Sequence, residues 1–167
     1  IANTNMVRHR PKAPLANYAK IHVDATVRTH RGGTMVAICR DNNGIFLGSS
    51  ALVIAGIWDP TTLEAIACRE AIALAEDLHI QQMVVASDCK QVIEDISERS
   101  QGPYGAIVAE INSRVIPYSC NFIFENRLVN VEAHILARFA LSLAKGRHVW
   151  LGQPHDQVCI PPLVDFD

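Results

Sequence analysis

Three acidic residues at the edges of predicted strands and helices could together carry out chemistry. Asp24 lies in the alternating segment IHVDAT, Glu64 in the helical segment TTLEAIACREA, and Asp88 ends the apolar run MVVASD. Carboxylate oxygens are preferred ligands of hard divalent cations, and several carboxylates in one cleft repel one another unless a cation is bound. The three positions therefore predict a divalent-metal site of the kind that supports phosphodiester hydrolysis.

Each acid also has a purely structural interpretation. Thr61 and Glu64 have the spacing of a capping box, in which Glu64 would fold back onto the start of its own helix. Asp88 could cap the next helix, with Gln91 three residues later. Asp24 could be an ordinary residue on the polar face of a strand. For each acid alone these alternatives stay open, whereas the joint arrangement favours a metal site.

Hydrophobic periodicity predicts the elements that would position the acids. Apolar and polar residues alternate over residues 21–28, which places Asp24 on the polar face of a strand. An Asn-Gly turn at residues 43–44 joins the next two strands. The predicted order is βββαβααβα, with strands at residues 21–28, 34–40, 45–54, 83–86 and 120–124 and helices at residues 61–78, 88–98, 104–115 and 130–143.

The position of the acids in this order brings them to one place. If the first and fourth strands are adjacent and parallel, Asp24 and Asp88 become neighbours. The helix that connects those strands would then be a right-handed crossover. Its first turn would hold Glu64 above the same region of the sheet.

The overall composition narrows the possible classes of protein. With 167 residues, 49% of them hydrophobic, the chain can form one domain with a substantial core. A net charge of −2 and a pI near 6.4 exclude a broad basic surface, so any nucleic-acid contact must be local. Five scattered cysteines without a Cys-x-x-Cys pair predict neither a disulfide framework nor a zinc site, which favours an intracellular location, nuclear or cytoplasmic.

The domain organisation predicted from the sequence has three parts. Residues 1–19 are expected to form an N-terminal tether, residues 20–145 the folded domain, and residues 146–167, which contain three prolines, an irregular tail. The longest apolar run, residues 51–58, is too short to cross a membrane. Because the sequence starts with Ile1, we expect it to be part of a larger parent polypeptide.

Four segments together resemble a known family. KIHVDAT, GGTMVAICRDNNGIFLG, LEAIACREAIALAEDLHIQQMVVASDCKQVI and RLVNVEAHILARFAL are similar to the ribonuclease H type 1 domain, in the plant reverse-transcriptase-like branch that occurs in retroelements. The resemblance implies a three-layer α/β ribonuclease H-like fold, in which helices flank a five-stranded mixed sheet of order 3-2-1-4-5.

The same resemblance implies hydrolysis of the RNA strand of RNA:DNA hybrids with two Mg²⁺ or Mn²⁺ ions. One ion activates the attacking water and the other stabilises the leaving 3′ oxygen. Carried over to this chain, Asp24 would bridge both ions, Glu64 would bind one ion, and Asp88 would bind or orient the other.

Three positions depart from the family pattern. His134 occupies the place of the fourth catalytic acid, and imidazole is a poor ligand for Mg²⁺, so binding of the second ion is expected to be weakened. The alternative for His134 is an ordinary histidine on the helix surface. Phe124 replaces a histidine that assists proton transfer, and Ala25 replaces a glycine after the first aspartate. Catalysis is therefore expected to be slow or absent. The alternative is a catalytically degenerate module that binds nucleic acid or a protein partner within a larger plant protein.

Contacts to nucleic acid are predicted at six residues. Basic and amide side chains bind phosphates and sugars, although each of these residues could equally be ordinary solvated surface or, for Asn42, a turn former. The candidates are Arg28, Arg31, Asn42, Lys90, Arg127 and Asn130.

Overall fold

A mixed β-sheet with helices on both faces forms the protein in the computed structural model, which describes residues 9–167. The first eight residues of the predicted tether lie outside the described part. The strands are β1 (Ala19–Arg28), β2 (Gly32–Arg40), β3 (Phe46–Ala55), β4 (Gln82–Ser87), β5 (Ser119–Phe124) and β6 (Gly146–Leu151). The helices are α1 (Pro60–Asp77), α2 (Lys90–Glu98), α3 (Gly105–Arg114) and α4 (Val131–Ala140), and a 3₁₀ turn at Arg127–Val129 precedes α4.

The strands are arranged in the order β5-β4-β1-β2-β3-β6. β1 pairs antiparallel with β2 and parallel with β4, so α1 is the crossover between parallel strands that the sequence predicts. The predicted order 3-2-1-4-5 is confirmed for the five expected strands. The sheet nevertheless has six strands, which corrects the five-strand prediction.

The sixth strand lies in the segment for which the sequence predicts irregular structure. β6 is an edge strand that pairs antiparallel with β3, and its sequence GRHVWL alternates only weakly between apolar and polar residues. Arg147 fixes it to α1, because its guanidinium donates to Glu70 at 2.5 Å and to Asp77 at 2.6 Å. These partners lie 70 or more residues away in the chain, so the local sequence could not reveal the strand.

Two hydrophobic clusters lie on opposite faces of the sheet. The larger joins α1, α2 and α3 to inward residues of β1, β2 and β4, and the small side chains of Ala67, Cys68 and Ala71 let α1 lie close to the strands. The smaller cluster joins α4 to Val36 and Ile38 of β2. The sheet is therefore covered on both faces where β1 and β2 cross its centre.

The chain beyond β6 packs against the smaller cluster. Ile160 is fully buried there, and the backbone of Phe46 donates to the carbonyl of Pro162 at 2.8 Å. The end of the tail also meets the N-terminal segment, because Asp167 and Pro11 are joined by a 2.9 Å backbone hydrogen bond. Among residues 9–167, no helix is both long enough and apolar enough to cross a membrane.

Candidate metal centre

Asp24 and Asp88 are brought together by the parallel pairing of β1 and β4. His22 of β1 pairs with Ala86 of β4. Asp24 and Asp88 each lie two residues further along, so they are level with each other. Asp24 is 5% exposed because α4 covers its side of the sheet, so this member of the face that the sequence predicts as polar is in fact buried.

Glu64 reaches this place from the start of α1. The N-cap of α1 is Asp59, whose carboxylate accepts a hydrogen bond from the backbone of Thr62 at 2.9 Å. Glu64 instead accepts from the backbone N–H of Ala25 at 3.2 Å and from the hydroxyl of Ser87 at 3.5 Å. The capping-box interpretation of Glu64 is therefore wrong, since Asp59 already caps the helix and the Glu64 side chain points across to the strands.

The three carboxylates converge in one cavity. Oxygen atoms of Asp24, Glu64 and Asp88 all lie within 4.8 Å of one another. Asp88 does not cap α2, whose N-cap residue is Cys89 and which has no side-chain capping bond. The cavity has a volume of about 390 Å³ and is lined by Asp24, Ala25, Val27, Pro60, Thr61, Glu64, Asp88, Cys89, Arg127 and His134.

Burial and the neighbouring charge oppose the ionisation of Glu64 and Asp88. Burial and then the charge of Asp24 raise the pKa of Glu64 well above its ordinary value. Burial and Asp24 also raise the pKa of Asp88, although nearby Arg127 and Asn130 act in the opposite direction. Among the lining residues, Arg127 is the one with a permanent positive charge. The negative charge of the site is therefore incompletely neutralised by the protein.

This donor set fits a divalent cation. Carboxylate oxygens are hard ligands, and oxygen atoms less than 5 Å apart can be bridged by ions about 2.0–2.6 Å from each ligand. A bound cation would also offset the repulsion that raises the Glu64 pKa. The trio is therefore suited to a divalent cation by its donor type and its charge.

His134 lies beside the trio and contacts one member of it. The residue is in the first turns of α4, its side chain is 41% exposed, and its Nδ1 lies 3.3 Å from Oδ2 of Asp24. The structure thus places the residue at the position of the fourth acid close to the acids. It adds an imidazole to the cavity and no carboxylate.

The other two departures also lie near the acids. Phe124 ends β5, pairs with Ser87 next to Asp88, and is 48% exposed. Ala25 lines the cavity, and its N–H holds Glu64. Its methyl group therefore occupies space at the edge of the site that a glycine would leave open.

Two of the six candidate nucleic-acid contacts lie at the metal centre. Arg127 lines the cavity. Asn130 is 3% exposed and donates from Nδ2 to the carbonyl of Val23 at 2.9 Å, while its Oδ1 is buried without a hydrogen-bond partner in the described part of the chain. Asn130 therefore ties the start of α4 to β1 next to Asp24.

The other four candidates lie outside the cavity. Arg28 and Arg31 line a separate groove of about 340 Å³, where Arg28 donates to the carbonyl of Leu141 at 2.7 Å. Lys90 is the exposed first residue of α2. Asn42 lies in the turn between β2 and β3, beyond the pairing of Arg40 with Lys20, and is therefore at the end of the sheet away from the acids.

Comparison with known proteins identifies the family. The family described as reverse transcriptase-like matches residues 22–140, a span that contains all three acids and His134. The chain belongs to the reverse transcriptase-like family. No curated protein matches the sequence of this domain.

Solved structures share the fold of this reverse transcriptase-like domain. Ribonuclease H1 from the halophilic archaeon Halobacterium salinarum has a TM-score of 0.70 and 15% identity, over 76% of this chain and 99% of that one. The N-terminal RNase H domain of a Mycobacterium tuberculosis protein has a TM-score of 0.66 and 21% identity, over 74% and 93%. LC11-RNase H1 in complex with an RNA/DNA hybrid has a TM-score of 0.59 and 19% identity, over 74% and 99%. The domain therefore has a ribonuclease H-like fold.

A charged cluster formed by Lys20, His22 and Glu125 could not be predicted from the sequence. Glu125 accepts from Nζ of Lys20 at 2.6 Å, and its other oxygen lies 2.7 Å from Nε2 of His22. Lys20 is 2% exposed and also donates to the carbonyl of Lys12. The cluster joins β1 to the loop that leads to Arg127. Alternation in β1 could have marked Lys20 and His22 as members of one face, but their partner is more than 100 residues away.

The metal-free domain is predicted to be more stable when Glu64 is neutral. The Glu64 pKa is raised in the folded state, so ionisation of Glu64 lowers the free energy of unfolding. This loss of stability is absent below the ordinary pKa of 4.5 and grows as the pH rises from there through the folded-state pKa. Glu64→Gln should therefore raise the free energy of unfolding by about 1 kcal/mol at pH 7 in a chelator, and by less at pH 4. Urea unfolding at both pH values measures this difference in the free energy of unfolding.

The exposed residue Glu94 provides the matched control, because Glu94→Gln makes the same chemical change on α2. Addition of Mn²⁺ should stabilise the unchanged domain more than the Glu64→Gln variant. A Glu64→Gln variant that is less stable in chelator, or equally stabilised by Mn²⁺, would contradict the electrostatic account of the site.

Loss of the Glu125 charge is predicted to destabilise the domain. Burial acts to raise the Glu125 pKa, but hydrogen bonds from His22 and Lys20 outweigh it and lower the value to about 2. Burial also lowers the Lys20 pKa, so the cost of burying the ammonium offsets part of the stabilisation from its ion pair with Glu125. Glu125→Gln leaves a buried ammonium without its counter-ion and should cost about 3 kcal/mol of unfolding free energy at pH 7.

The pH dependence checks the origin of that loss. Because the folded-state pKa is lowered, the contribution of Glu125 is present above its ordinary pKa and disappears as the pH falls toward 2. The difference between the original domain and Glu125→Gln should thus shrink in urea titrations below about pH 4.5. A difference that is constant with pH would mean that packing, and not charge, causes the loss.

Proposed function

We propose that this domain is a metal-dependent endonuclease that hydrolyses the RNA strand of RNA:DNA hybrids, with low activity. The observation that carries the proposal is the convergence of Asp24, Glu64 and Asp88 oxygens within 4.8 Å in an open cavity. Three acids held this close cost stability unless they serve a cation. The ribonuclease H-like fold supplies the substrate class.

The residues that would hold the ions are the three acids. Bound Mg²⁺ or Mn²⁺ would supply an activated water and charge stabilisation at the departing oxygen. The rest of the site positions these ligands. The N–H of Ala25 and the hydroxyl of Ser87 orient Glu64, and the amide of Asn130 fixes α4 against β1.

Low activity follows from the side chains around the trio. Phe124 cannot move a proton, and its exposed ring stands at the end of β5 next to the strand that leads into Asp88. His134 supplies no negative charge to hold a second Mg²⁺. The site thus retains its ligands for a first ion but lacks groups that would accelerate turnover.

Local positive charge supports nucleic acid as the substrate. Arg127 lines the acid cavity, and Arg28, Arg31 and Lys145 line a separate groove beside the C-terminal end of α4. Contacts of this kind position a phosphate backbone without reading its sequence. The overall charge of −2 means that such contacts must act locally. The related fold of LC11-RNase H1, solved with an RNA/DNA hybrid, makes the hybrid the substrate to test first.

Cleavage of a labelled RNA:DNA hybrid is the test of this proposal. The domain should cut the RNA strand internally in Mn²⁺ and more slowly in Mg²⁺, and leave duplex DNA intact. Asp24→Asn removes a shared metal ligand and should lower the rate about 100-fold or more. Asp165→Asn changes an exposed acid in the C-terminal segment and serves as the control. Equal rates for Asp24→Asn and the unchanged domain would refute the catalytic proposal.

A second candidate function is a module that binds nucleic acid or a protein partner, within a larger parent polypeptide, without catalysis. Phe124 and His134 favour it, because both replace groups that assist turnover while leaving the fold and the three acids in place. Under this alternative the acids and the basic groove would serve binding alone.

Restoring the family residues is predicted to distinguish the two functions. The double variant Phe124→His with His134→Asp returns a proton-transfer group and a fourth acid, and should raise the hybrid-cleavage rate about 10-fold or more. The pair Phe124→Ala with His134→Ala is the matched control, since it removes the same side chains without adding chemistry. No rate increase, together with unchanged hybrid affinity, would favour the binding module.

A further inference from the structure

A second cavity lies at the start of α4 and shares no lining residue with the acid cavity. Its volume is about 140 Å³. Leu128 and Val131 line it on the side of α4, and Val164 and Phe166 of the C-terminal segment line it as well. The C-terminal residues lie outside the span 22–140 that matches the family, so the family match does not explain this cavity.

The size and the walls of the second cavity suit one apolar ring. An apolar cavity of about 150 Å³ in another protein is large enough to bind benzene. The wall formed by the chain termini is held in place, because Nζ of Lys20 lies 5.9 Å from the centroid of the Phe166 ring and the backbone of Asp167 donates to the carbonyl of Pro11 at 2.9 Å. A planar six-membered ring therefore fits between these side chains.

The start of α4 presents an acceptor and donors to this cavity. Asn130, the N-cap residue, lines the cavity, is 3% exposed and forms no side-chain capping bond. Its Nδ2 donates to the carbonyl of Val23, which fixes the amide orientation and leaves Oδ1 buried without a partner among residues 9–167. The first N–H groups of a helix have no partner within the helix, and Val131, Glu132 and Ala133 of this first turn also line the cavity. A ligand with both a donor and an acceptor would satisfy these groups.

The charged side chains at the second cavity favour a neutral ligand. The guanidinium of Arg40 donates to both carboxylate oxygens of Glu132, at 3.1 and 2.6 Å. His22 is likewise engaged, because its Nε2 lies 2.7 Å from a carboxylate oxygen of Glu125. A charged ligand would lose its hydration without finding an unpaired counter-charge here, which is costly.

We propose that the second cavity binds a neutral, planar six-membered heterocycle whose edge carries an N–H beside a C=O, as in a pyrimidine base. The ligand N–H donates to Oδ1 of Asn130, and the ligand carbonyl accepts from a backbone N–H in the first turn of α4. Val164 and Phe166 contact the ring. This site goes beyond the proposed nuclease function and uses none of its metal ligands.

Titration of the domain with uracil, followed by ¹H–¹⁵N NMR, tests the site. Uracil should cause saturable shifts of the backbone amide signals of Val131, Glu132 and Ala133, with a dissociation constant of about 1 mM or lower. Benzene has a ring of the same size without the polar edge. It should bind about 10-fold more weakly or worse, because it leaves the acceptor of Asn130 and the helix donors unpaired.

A larger side chain at the cavity provides the variant, and Val158 provides the matched control. Val131→Phe places a ring where the ligand would lie and should weaken uracil binding about 10-fold or more. Val158→Phe makes the same change at a residue that is 91% exposed and does not line the cavity, and should leave the affinity unchanged. Val164→Phe fills the cavity from the C-terminal segment and takes the place of Val131→Phe if that variant does not fold.

The outcomes do not depend on metal binding or on hybrid cleavage. Saturable binding of uracil that is lost only in the cavity-filling variants establishes the site. Uridine then distinguishes the source of the ring, since binding of uracil alone assigns a free heterocycle and binding of both assigns the base of a nucleotide. The site is overturned if the amide shifts do not saturate, if benzene binds as tightly as uracil, or if Val131→Phe and Val158→Phe bind uracil equally.

Discussion

Electrostatic repulsion among Asp24, Glu64 and Asp88 is the constraint to which the surrounding structure responds. Three carboxylates within 4.8 Å oppose folding unless a cation is present, because burial and then the charge of Asp24 raise the pKa of Glu64. They are held together because each comes from a different element whose position is set by the core. β1 and β4 are packed at the centre of the sheet, and α1 lies against them through small side chains. Burial of apolar surface thus offsets the cost of the charged site.

The opposite layer of the fold holds the remaining members of the site. α4 is attached to the sheet by Thr34, which bonds to the backbone of Ala137, and by Arg40, whose guanidinium forms two hydrogen bonds with Glu132. Arg40 also donates to the carbonyl of Pro161, so the C-terminal segment supports the same helix. The orientation of His134 toward Asp24 is therefore a property of the whole layer, including chain beyond the segment that resembles the family.

The sequence could predict those features that depend on local pattern. Alternation identified β1, the short apolar run identified β4, and the crossover rule placed their carboxylates side by side. Features that depend on distant partners were not predictable. β6 is a weakly patterned strand stabilised by Arg147 and its acidic partners on α1, and the charge of Glu125 is matched by Lys20, which lies 105 residues earlier in the chain. Asp59, five residues before Glu64, caps α1, although the spacing of Thr61 and Glu64 favours Thr61 as the cap.

The three acids and the two exposed side chains beside them depend on separate parts of this structure. The three acids are fixed by β1, β4 and α1, which share the larger hydrophobic cluster. Phe124 and His134 come from the end of β5 and from α4, and both side chains are substantially exposed. Substitution at the exposed positions therefore changes the chemistry of the cavity without disturbing the packing that holds the acids. The packing that brings the three acids together is thus independent of the side chains at residues 124 and 134.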